Sequence, residues 1–395
     1  MTRYIVIIST LAVVLTMAGC ALFGGGQAER QRYIVAFSED MDAMIQSLIV
    51  ENMEVLERFG IIDGILAMLT EDEVAWIEKN LSIRYIEKDA IQSIPEPVLL
   101  ESLPTIQADT EIGWEIKMIS GGLDENGLPR VWHRTQGQGV RVGIIDTGVD
   151  PTHPDLVDAM IGGYNGITDS DEGSEDDNGH GTSVAGAVAG RYNGTGIVGI
   201  APRAWIYALK GLDKEGRGWS SSLLRCFQKA LDLELDMVNC SWGSPFESKA
   251  LGDAMRNLAA WQGMGVVCAA GNSGASPIIY PARNPVAVCV TAVNINGVLA
   301  SFSSFGDAVK LNGVAAPGEW VLAAKMGGGT RRVNGTSIAA PYVTGLLALM
   351  KAMGWPSRDF IFDGATQACS PDIYLGHGII DVGKSIDKLC NASGY

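Results

Sequence analysis

Four side chains of this sequence have the types and the spacing that nucleophilic catalysis requires. Asp146 follows an apolar run, His180 precedes a run of small residues, and Asn272 follows a second apolar run. Ser337 stands at the start of a long apolar segment that ends near Met353. A lone serine in such a place is more often a helix cap, so the prediction rests on the four residues together.

The chemistry explains why these residue types belong together. A serine hydroxyl is a weak nucleophile and needs an imidazole to take its proton, which assigns Ser337 as nucleophile and His180 as base. The imidazole needs a carboxylate to hold its tautomer and stabilise its cation, the role predicted for Asp146. The oxyanion needs donors, and the side-chain amide of Asn272 with a backbone N–H at a helix start would supply them.

The elements that must position these residues are short apolar runs separated by helical segments from Trp114 onward. This pattern predicts an α/β fold whose mostly parallel central sheet is buried on both faces by helices, a three-layer arrangement. The carboxyl ends of parallel strands meet at one edge of such a sheet, where the four side chains would converge. The predicted strands are 140–145, 205–209, 237–240, 266–270 and 286–293.

Residues 32–94 indicate a separate small α+β unit, for which we expect a ferredoxin-like fold. Residues 33–37, 65–69 and 83–87 have strand composition, and Thr70 to Glu73 fits a capping box that opens a helix. Apolar residues from Met44 to Phe59 recur near helical spacing, and 59–62 is a candidate extra strand. Residues 95–113 contain three prolines and no sustained period, as in a linker.

The segment from Trp114 to Ile386 resembles the catalytic domain of the subtilisin family, the subtilases. The matching motifs are 146–148 (Asp-Thr-Gly), 180–182 (His-Gly-Thr), 241–243 (Ser-Trp-Gly), 271–272 (Gly-Asn) and 335–337 (Gly-Thr-Ser). The resemblance implies a subtilisin-like fold for 114–395 and a serine endopeptidase acting through an acyl-enzyme, with no organic cofactor. Ser183 replaces a second histidine of many members, and Ile338 and Ala340 replace the usual methionine and serine.

The sequence disfavours two other functions and nucleic-acid binding. A serine esterase is disfavoured, since the residues around Ser337 do not form the Gly-x-Ser-x-Gly elbow of α/β-hydrolases. A surface binding or inhibitor protein with an inactive catalytic domain is disfavoured because all four residues are present. Nucleic-acid binding is disfavoured by the net charge of −16, since phosphates attract basic surfaces.

Residues 32–94 resemble the inhibitory propeptide of the same family. In that family the propeptide assists folding and occupies the cleft until it is cleaved away, which predicts a self-processing zymogen. Parallel sheets fold slowly because their contacts are non-local, so a folding template has a physical purpose. We expect self-cleavage between Ile94 and Glu111.

By resemblance, polypeptide substrates would add a strand beside residues 209–211 and 241–243. None of the predicted pocket residues is a carboxylate, so medium or large apolar residues before the cut are expected, with Ile279 limiting depth. The alternative for Trp242 is core packing. The predicted groove and pocket residues are Leu209, Gly211, Gly216, Gly218, Ser241, Trp242, Gly243, Ala270, Gly271 and Ile279.

The family resemblance also implies a calcium ion. Asp155, Asn193 and the carbonyls of Thr195 and Ile197 match a site that offers several hard oxygen ligands. The acidic loop 169–177 is interpreted as a solvated surface, with a second calcium as the alternative.

The N-terminus predicts export from a bacterial cell. Arg3 precedes an apolar run, 5–14, and small residues then lead to Cys20, which resembles the lipobox of bacterial lipoproteins with Met17 where leucine is usual. On this interpretation residues 1–20 are a lipoprotein-type signal peptide and residues 21–31 are a spacer. The protein would then be attached to a membrane through lipidated Cys20. A plain signal peptide and an uncleaved anchor are the alternatives. Processing beyond residue 94 would release the catalytic domain from this lipid.

Six cysteines remain after Cys20, and apart from Cys226 they fall into two groups. Cys240, Cys268 and Cys289 lie in apolar runs and are expected to be small buried hydrophobic residues. Cys369 and Cys390 lie in the tail, where an exported protein permits a disulfide, although connectivity cannot be read from sequence.

Overall fold

The computed structural model describes residues 29–96, 112–263, 265–354, 358–366 and 371–393. The predicted signal peptide with Cys20, the spacer up to residue 28 and the linker from 97 to 111 lie outside the described residues. Among the helices that are described, none is long and apolar enough to cross a membrane.

The first unit, residues 31–88, contains a four-stranded sheet and is called the N-terminal module below. Its strands pair antiparallel in the order β2-β3-β1-β4. Strands and helices alternate along the chain as βαββαβ, the order of a ferredoxin-like fold, as expected. Thr70 and Glu73 form the predicted capping box. The elements are β1 Gln31–Phe37, α1 Met41–Val50, β2 Glu54–Phe59, β3 Gly64–Leu69, α2 Glu71–Asn80 and β4 Ile83–Lys88.

The predicted helix from Met44 to Phe59 is wrong in its second half. The helix ends at Val50, and Asn52 adopts a left-handed backbone with φ 58°, after which β2 pairs with β3. Leu56 is 44% exposed, so its apparent helical spacing with Phe59 did not mark a buried face. Residues 59–62 are not an extra strand either, since Gly60–Ile62 is a 3₁₀ turn.

The second unit contains the seven-stranded sheet, with strand order β13-β12-β11-β10-β6-β8-β7 and every pairing parallel. The predicted subtilisin-like α/β fold is confirmed. The strands of the seven-stranded sheet are β6 Arg141–Asp146, β7 Met160–Asn165, β8 Trp205–Lys210, β10 Met237–Cys240, β11 Gly265–Ala269, β12 Val288–Val293 and β13 Gly313–Pro317. Two smaller sheets pair β5 Ile91–Ser93 with β9 Arg217–Trp219, and β14 Val321–Ala324 with β15 Thr330–Val333. The helices of the second unit are α3 Trp114–Ile119, α4 His180–Ala189, α5 Ser220–Asp232, α6 Lys249–Gln262, α7 Asp307–Asn312, α8 Thr336–Ala352, α9 Arg358–Gly364 and α10 Val382–Ser393.

Alternate residues of each central strand enter different cores. Ile144 and Val267 pack with α4 and α8, whereas their neighbours Ile145 and Cys268 pack with α5 and α6. Both faces of the sheet are therefore covered, which is why these strands are apolar runs rather than alternating ones. Burial at this density holds the carboxyl ends of the strands in fixed positions.

The N-terminal module lies against α5 and α6. Ile61 and Ile62 share the core of α5 and α6, and the Glu87 carboxylate accepts hydrogen bonds from Ser248 Oγ at 2.7 Å and from the Lys249 backbone N–H at 2.8 Å. Glu87 thus satisfies N–H groups at the start of α6 that have no helical partner. The docked module directs β5 into the groove beside β9.

The expected burial of Cys240, Cys268 and Cys289 is confirmed, and each carries a free thiol. Burial raises the pKa of the Cys268 and Cys289 thiols well above the usual value. Cys390 also carries a free thiol, while its predicted partner, Cys369, lies outside the described residues.

Candidate active site

Asp146 and His180 are joined by a direct hydrogen bond. Asp146 is the last residue of β6, and its buried Oδ1 lies 2.7 Å from Nδ1 of His180, the first residue of α4. The backbone N–H of Thr147 donates to the same Oδ1 at 2.8 Å. With Nδ1 engaged, the buried Nε2 of His180 has no hydrogen-bond partner among the described residues. That nitrogen is the atom a base would use.

Ser337 is the second residue of α8 and is 4% exposed. Gly335, just before the helix, has φ 153°, and a Cβ there would lie 2.8 Å from Ser337 Oγ and 3.2 Å from Asn272 Nδ2. A side chain at 335 would occupy the space between these two groups, which explains the glycine. Ser337 and His180 line the same cavity of about 490 Å³.

Asn272 follows β11 and is held in one orientation. Its Oδ1 accepts hydrogen bonds from the backbone N–H and from Oγ1 of Thr336, both at 2.9 Å. Its Nδ2 is therefore presented on the other side, where it donates to the backbone carbonyl of Glu96 at 3.2 Å. A donor held this way needs little reorganisation to bind an oxyanion.

Residues 91–94 of this chain lie in the groove as an added strand. Ser93 exchanges two backbone hydrogen bonds with Gly243, at 3.1 and 2.8 Å, and the Ile94 N–H donates to the Gly216 carbonyl at 2.9 Å. β5 also pairs with β9 through Gly218. The structure thus brings the predicted groove residues Gly216, Gly218 and Gly243 against a peptide backbone.

Leu209 and Gly211 lie one layer further back. The Leu209 side chain is fully buried, and the Gly211 N–H donates to the Asp146 carbonyl at 3.0 Å. A Cβ at Gly218 would come within 2.0 Å of the Gly211 carbonyl oxygen. Gly211 therefore packs directly against β9, whereas Leu209 belongs to the core.

The predicted pocket residues fall into two places. Ile279 lies between two glycines, because a Cβ at Gly243 would come within 2.6 Å of Ile279 Cδ1 and one at Gly271 within 3.0 Å of its Cγ2. The Ile279 N–H donates to the Ala270 carbonyl at 3.1 Å. Ser241 Oγ donates to the Ser337 carbonyl at 2.8 Å and so supports the backbone of the predicted nucleophile.

The prediction that the Trp242 ring lines the pocket is wrong. The side chain is fully buried, packs against Phe227, and donates from Nε1 to the Ile145 carbonyl at 2.9 Å. Complete burial with a hydrogen-bonded N–H stabilises a ring of this size more than partial exposure in a groove would. Core packing, the alternative considered for Trp242, is what the structure has.

The acidic loop is not a uniform solvated surface, because Asp176 is buried. Its Oδ1 accepts from Thr147 Oγ1 at 2.8 Å and from the N–H groups of Asn178 and Gly179 at 3.0 and 2.8 Å. Its Oδ2 accepts from Thr182 N and Oγ1 at 2.9 and 2.6 Å. Asp176 therefore ties the loop after Asp146 to the start of the helix that carries His180. Sequence reasoning missed it since nothing distinguishes it from its acidic neighbours.

Two arginines on β15 were also missed. Arg331 and Arg332 line the same cavity as His180 and Ser337. Arg331 Nη2 donates to Ser183 Oγ at 3.0 Å, so the guanidinium reaches the position where many family members carry a second histidine. The unusual Ser183 was the signal available in the sequence.

The predicted calcium residues lie together, but their polar groups form hydrogen bonds with one another. Asp155 Oδ1 accepts from Asn193 Nδ2 at 3.1 Å, and Oδ2 accepts from the Ile197 N–H at 2.9 Å. The side chain of Thr195 donates to Asn193 Oδ1 at 3.0 Å. A cation needs converging oxygen atoms, whereas here N–H groups satisfy the carboxylate. This arrangement does not present the Asp155 carboxylate to a calcium ion.

Comparison with known proteins agrees with this geometry. The Subtilase family model matches residues 137–361. M-protease of Shouchella clausii (strain KSM-K16) is 32% identical over 386 residues, covering 95% of this chain and 97% of that protein. Subtilisin E of Bacillus subtilis (strain 168) is 31% identical over 401 residues, covering 96% and 97%.

A solved structure shows the same fold. Fervidolysin from Fervidobacterium pennivorans, described as a keratinolytic enzyme related to subtilisin, superposes with a TM-score of 0.75 at 23% identity over 93% of this chain. The present chain spans 62% of the fervidolysin chain. The fold and the relatives define a serine endopeptidase of the subtilisin type. The chain belongs to the subtilase family.

Proposed function

We propose that this protein is an extracytoplasmic endopeptidase in which Ser337, His180 and Asp146 form the catalytic triad. The observation that carries the proposal is the 2.7 Å contact from Asp146 to His180 Nδ1, which leaves Nε2 facing the cavity shared with Ser337. Ser337 does not donate a hydrogen bond to His180 Nε2 in this structure. In serine enzymes without substrate this hydrogen bond is often long, and it shortens when substrate binds.

The proposed reaction is acyl transfer in two stages. Ser337 Oγ attacks the scissile carbonyl while His180 Nε2 takes its proton, and Asp146 stabilises the imidazolium. Asn272 Nδ2 and a backbone N–H at the start of α8 stabilise the oxyanion. His180 then gives the proton to the leaving amine, and water hydrolyses the acyl-enzyme by the reverse sequence.

Labelling with a fluorophosphonate probe tests this assignment. The wild-type protein should be labelled once, and Ser337→Ala should not be labelled while keeping its circular dichroism spectrum. Ser183→Ala is the matched control, since it removes another hydroxyl that lines the same cavity. Labelling that survives in Ser337→Ala would refute Ser337 as nucleophile.

We further propose that residues 32–94 act as an inhibitory propeptide. Strand addition by 91–94 and the contact between Asn272 and the Glu96 carbonyl support it, because both occupy positions that a substrate needs. Self-cleavage is placed between Ile94 and Glu111. N-terminal sequencing of active enzyme tests the assignment, and active protein with residues 1–113 intact would exclude it.

For the residue before the cut we propose a medium or large apolar side chain. The backbone of Gly243 and Gly271 and the side chain of Ile279 form apolar walls, and Ile279 limits depth. A peptide library should be cleaved mainly after such residues. Cleavage chiefly after Arg or Lys would contradict this preference.

Export and lipid attachment at Cys20 complete the proposal, on the strength of the N-terminal sequence. Metabolic labelling with palmitate should mark the precursor, and Cys20→Ser should abolish the label. Labelling that persists in Cys20→Ser would reject the lipoprotein interpretation.

A further inference from the structure

Arg331 and Arg332 give one side of the cleft a local positive charge. They are adjacent on β15, are partly exposed, and line the cavity with Ser337 and His180. The whole chain has a net charge of −16, so a pair of cations beside the reacting groups departs from its surroundings. Such a local field favours ligands of the opposite charge.

The direction of the bound segment shows which part of a substrate meets these arginines. Residues 91–94 pair with β9 and Gly243, and the chain then runs toward Asn272, which contacts the Glu96 carbonyl. The residues before a cut therefore occupy the β9 side. The cavity that holds Ser337 and His180 is also lined by Arg331 and Arg332. A peptide in the same orientation would therefore bring the residues that follow the cut to these arginines.

The placement of Arg331 is not explained by helix stability. Its Nη2 donates to the Gly179 carbonyl at 2.7 Å, beside the amino end of α4, where the helix dipole disfavours a cation. Burial lowers the pKa of Arg331, while Asp176 acts in the opposite direction. The carboxylate of Asp176 accepts hydrogen bonds from Thr147 and Thr182, and acts on Arg331 only through space.

Arg332 is anchored at one end. Its Nη1 donates to the Trp320 carbonyl at 2.7 Å, and Trp320 also lines the cavity. The guanidinium is a planar fork with five donors, which suits bidentate binding of a carboxylate. Glu115, whose pKa is lowered by the charge of Arg332, is buried and does not line the cavity.

We propose that Arg331 and Arg332 select substrates that carry Asp or Glu among the first residues after the scissile bond. This inference rests on the proposed endopeptidase function and adds a substrate class to it. The carboxylate of the substrate would bind the guanidinium fork, and the contact would place the leaving amine beside His180.

The test uses three internally quenched peptides with the same apolar residue before the cut. They differ only in the two residues after the cut, which are both Glu in the first peptide, both Gln in the second and both Lys in the third. We expect kcat/KM to fall in the order Glu, Gln, Lys, with a step of about five-fold per ion pair gained or lost. The advantage of Glu should shrink in high salt, which screens a partly exposed pair.

Variants assign the preference to these side chains. Arg332→Gln should cut the Glu-to-Lys ratio by at least the value of one step, Arg332→Lys should retain most of it, and Arg331→Gln should reduce it as well. Arg134→Gln removes an exposed arginine outside the cleft and should leave the ratio unchanged. Activity on the Gln peptide shows that each variant is folded.

The outcomes separate the two proposals. Equal cleavage of all three peptides by the wild type would overturn the inference and leave the endopeptidase in place. A Glu preference that persists in Arg331→Gln/Arg332→Gln would overturn the assignment to these residues. No cleavage of any peptide together with no fluorophosphonate labelling would overturn both proposals.

Discussion

Thr147 Oγ1 donates a hydrogen bond to the buried carboxylate of Asp176 at 2.8 Å. The same Thr147 Oγ1 accepts one from the Gly181 N–H at 3.0 Å. Thr147 follows Asp146 directly and Gly181 follows His180. The geometry of the Asp146–His180 pair thus depends on a carboxylate that need not contact substrate.

Replacing Asp176 tests that dependence. Asp176→Asn keeps the size but turns one acceptor into a donor, so the loop and helix shift relative to each other. We expect kcat to fall about ten- to a hundred-fold with KM nearly constant, since displacements below 1 Å at reacting groups have effects of this order. The pH profile of kcat/KM should also move, because the partner of His180 is displaced.

Asp171→Asn is the matched control for this experiment. Asp171 lies in the same acidic loop but pairs with Lys229 on the surface. It should leave kcat and the pH profile unchanged. An Asp176→Asn enzyme with wild-type kinetics would show that the hydrogen bonds from Thr147 and Thr182 are dispensable.

Glu115 predicts a dependence of stability on pH. Burial raises its pKa from 4.5 to about 7, and a backbone hydrogen bond and the charge of Arg332 partly offset this rise. An unfolded chain releases this proton near pH 4.5 and the folded one near pH 7, so in this window the folded state binds more protons. The free energy of unfolding should therefore fall as pH rises from 4.5 to 7 and show no further change from this group above it.

Thermal melting in the Ser337→Ala background, which prevents autolysis, measures this effect. Glu115→Gln should reduce the drop in Tm between pH 4.5 and pH 7.5. Glu125→Gln, at an exposed turn, should behave like the parent. A parent and a Glu115→Gln variant with parallel Tm curves would contradict the assignment.

Calcium removal is expected to have no effect on stability. Hydrogen bonds from Asn193 and Ile197 already satisfy the carboxylate of Asp155. The melting midpoint should therefore be the same in EGTA and in millimolar calcium. A lower midpoint in EGTA, restored by calcium, would establish the ion that the family resemblance implies.

Glu87 should determine how firmly the N-terminal module is held. It accepts from Ser248 Oγ and from the N–H groups of Lys249 and Ala250 at the start of α6. Glu87→Gln removes the charge that the helix start favours, a change of about 1 kcal/mol. In full-length Ser337→Ala protein, the amides of Lys249 and Ala250 should exchange about five-fold faster, as measured by hydrogen exchange.

Glu78→Gln provides the comparison, since Glu78 is exposed on α2. It should leave exchange at the start of α6 unaltered. Unchanged exchange in Glu87→Gln would mean that water or Ser248 satisfies these amides as well as the carboxylate does.

The sheet was predictable because its signal is local. A strand covered on both faces must be apolar along its length, so β6, β8, β10, β11 and β12 could all be identified from the sequence. The prediction failed at Val55 and Leu56, where a half-exposed antiparallel strand has no such requirement. The prediction for the Trp242 side chain failed for a related reason, because a sequence does not distinguish an aromatic residue beside a groove from one in the core.

The residue types of the predicted triad, their order along the chain, and their places at a strand end or a helix start were all readable from the sequence. Each of these follows from composition within a few residues. The packing of distant elements, in contrast, places Asp176 between the loop after Asp146 and the helix that carries His180. It also places Arg331 beside Ser183, 148 positions away in the chain. Such contacts depend on how separate elements pack, and packing is set by shape and burial over the whole core rather than by any local pattern.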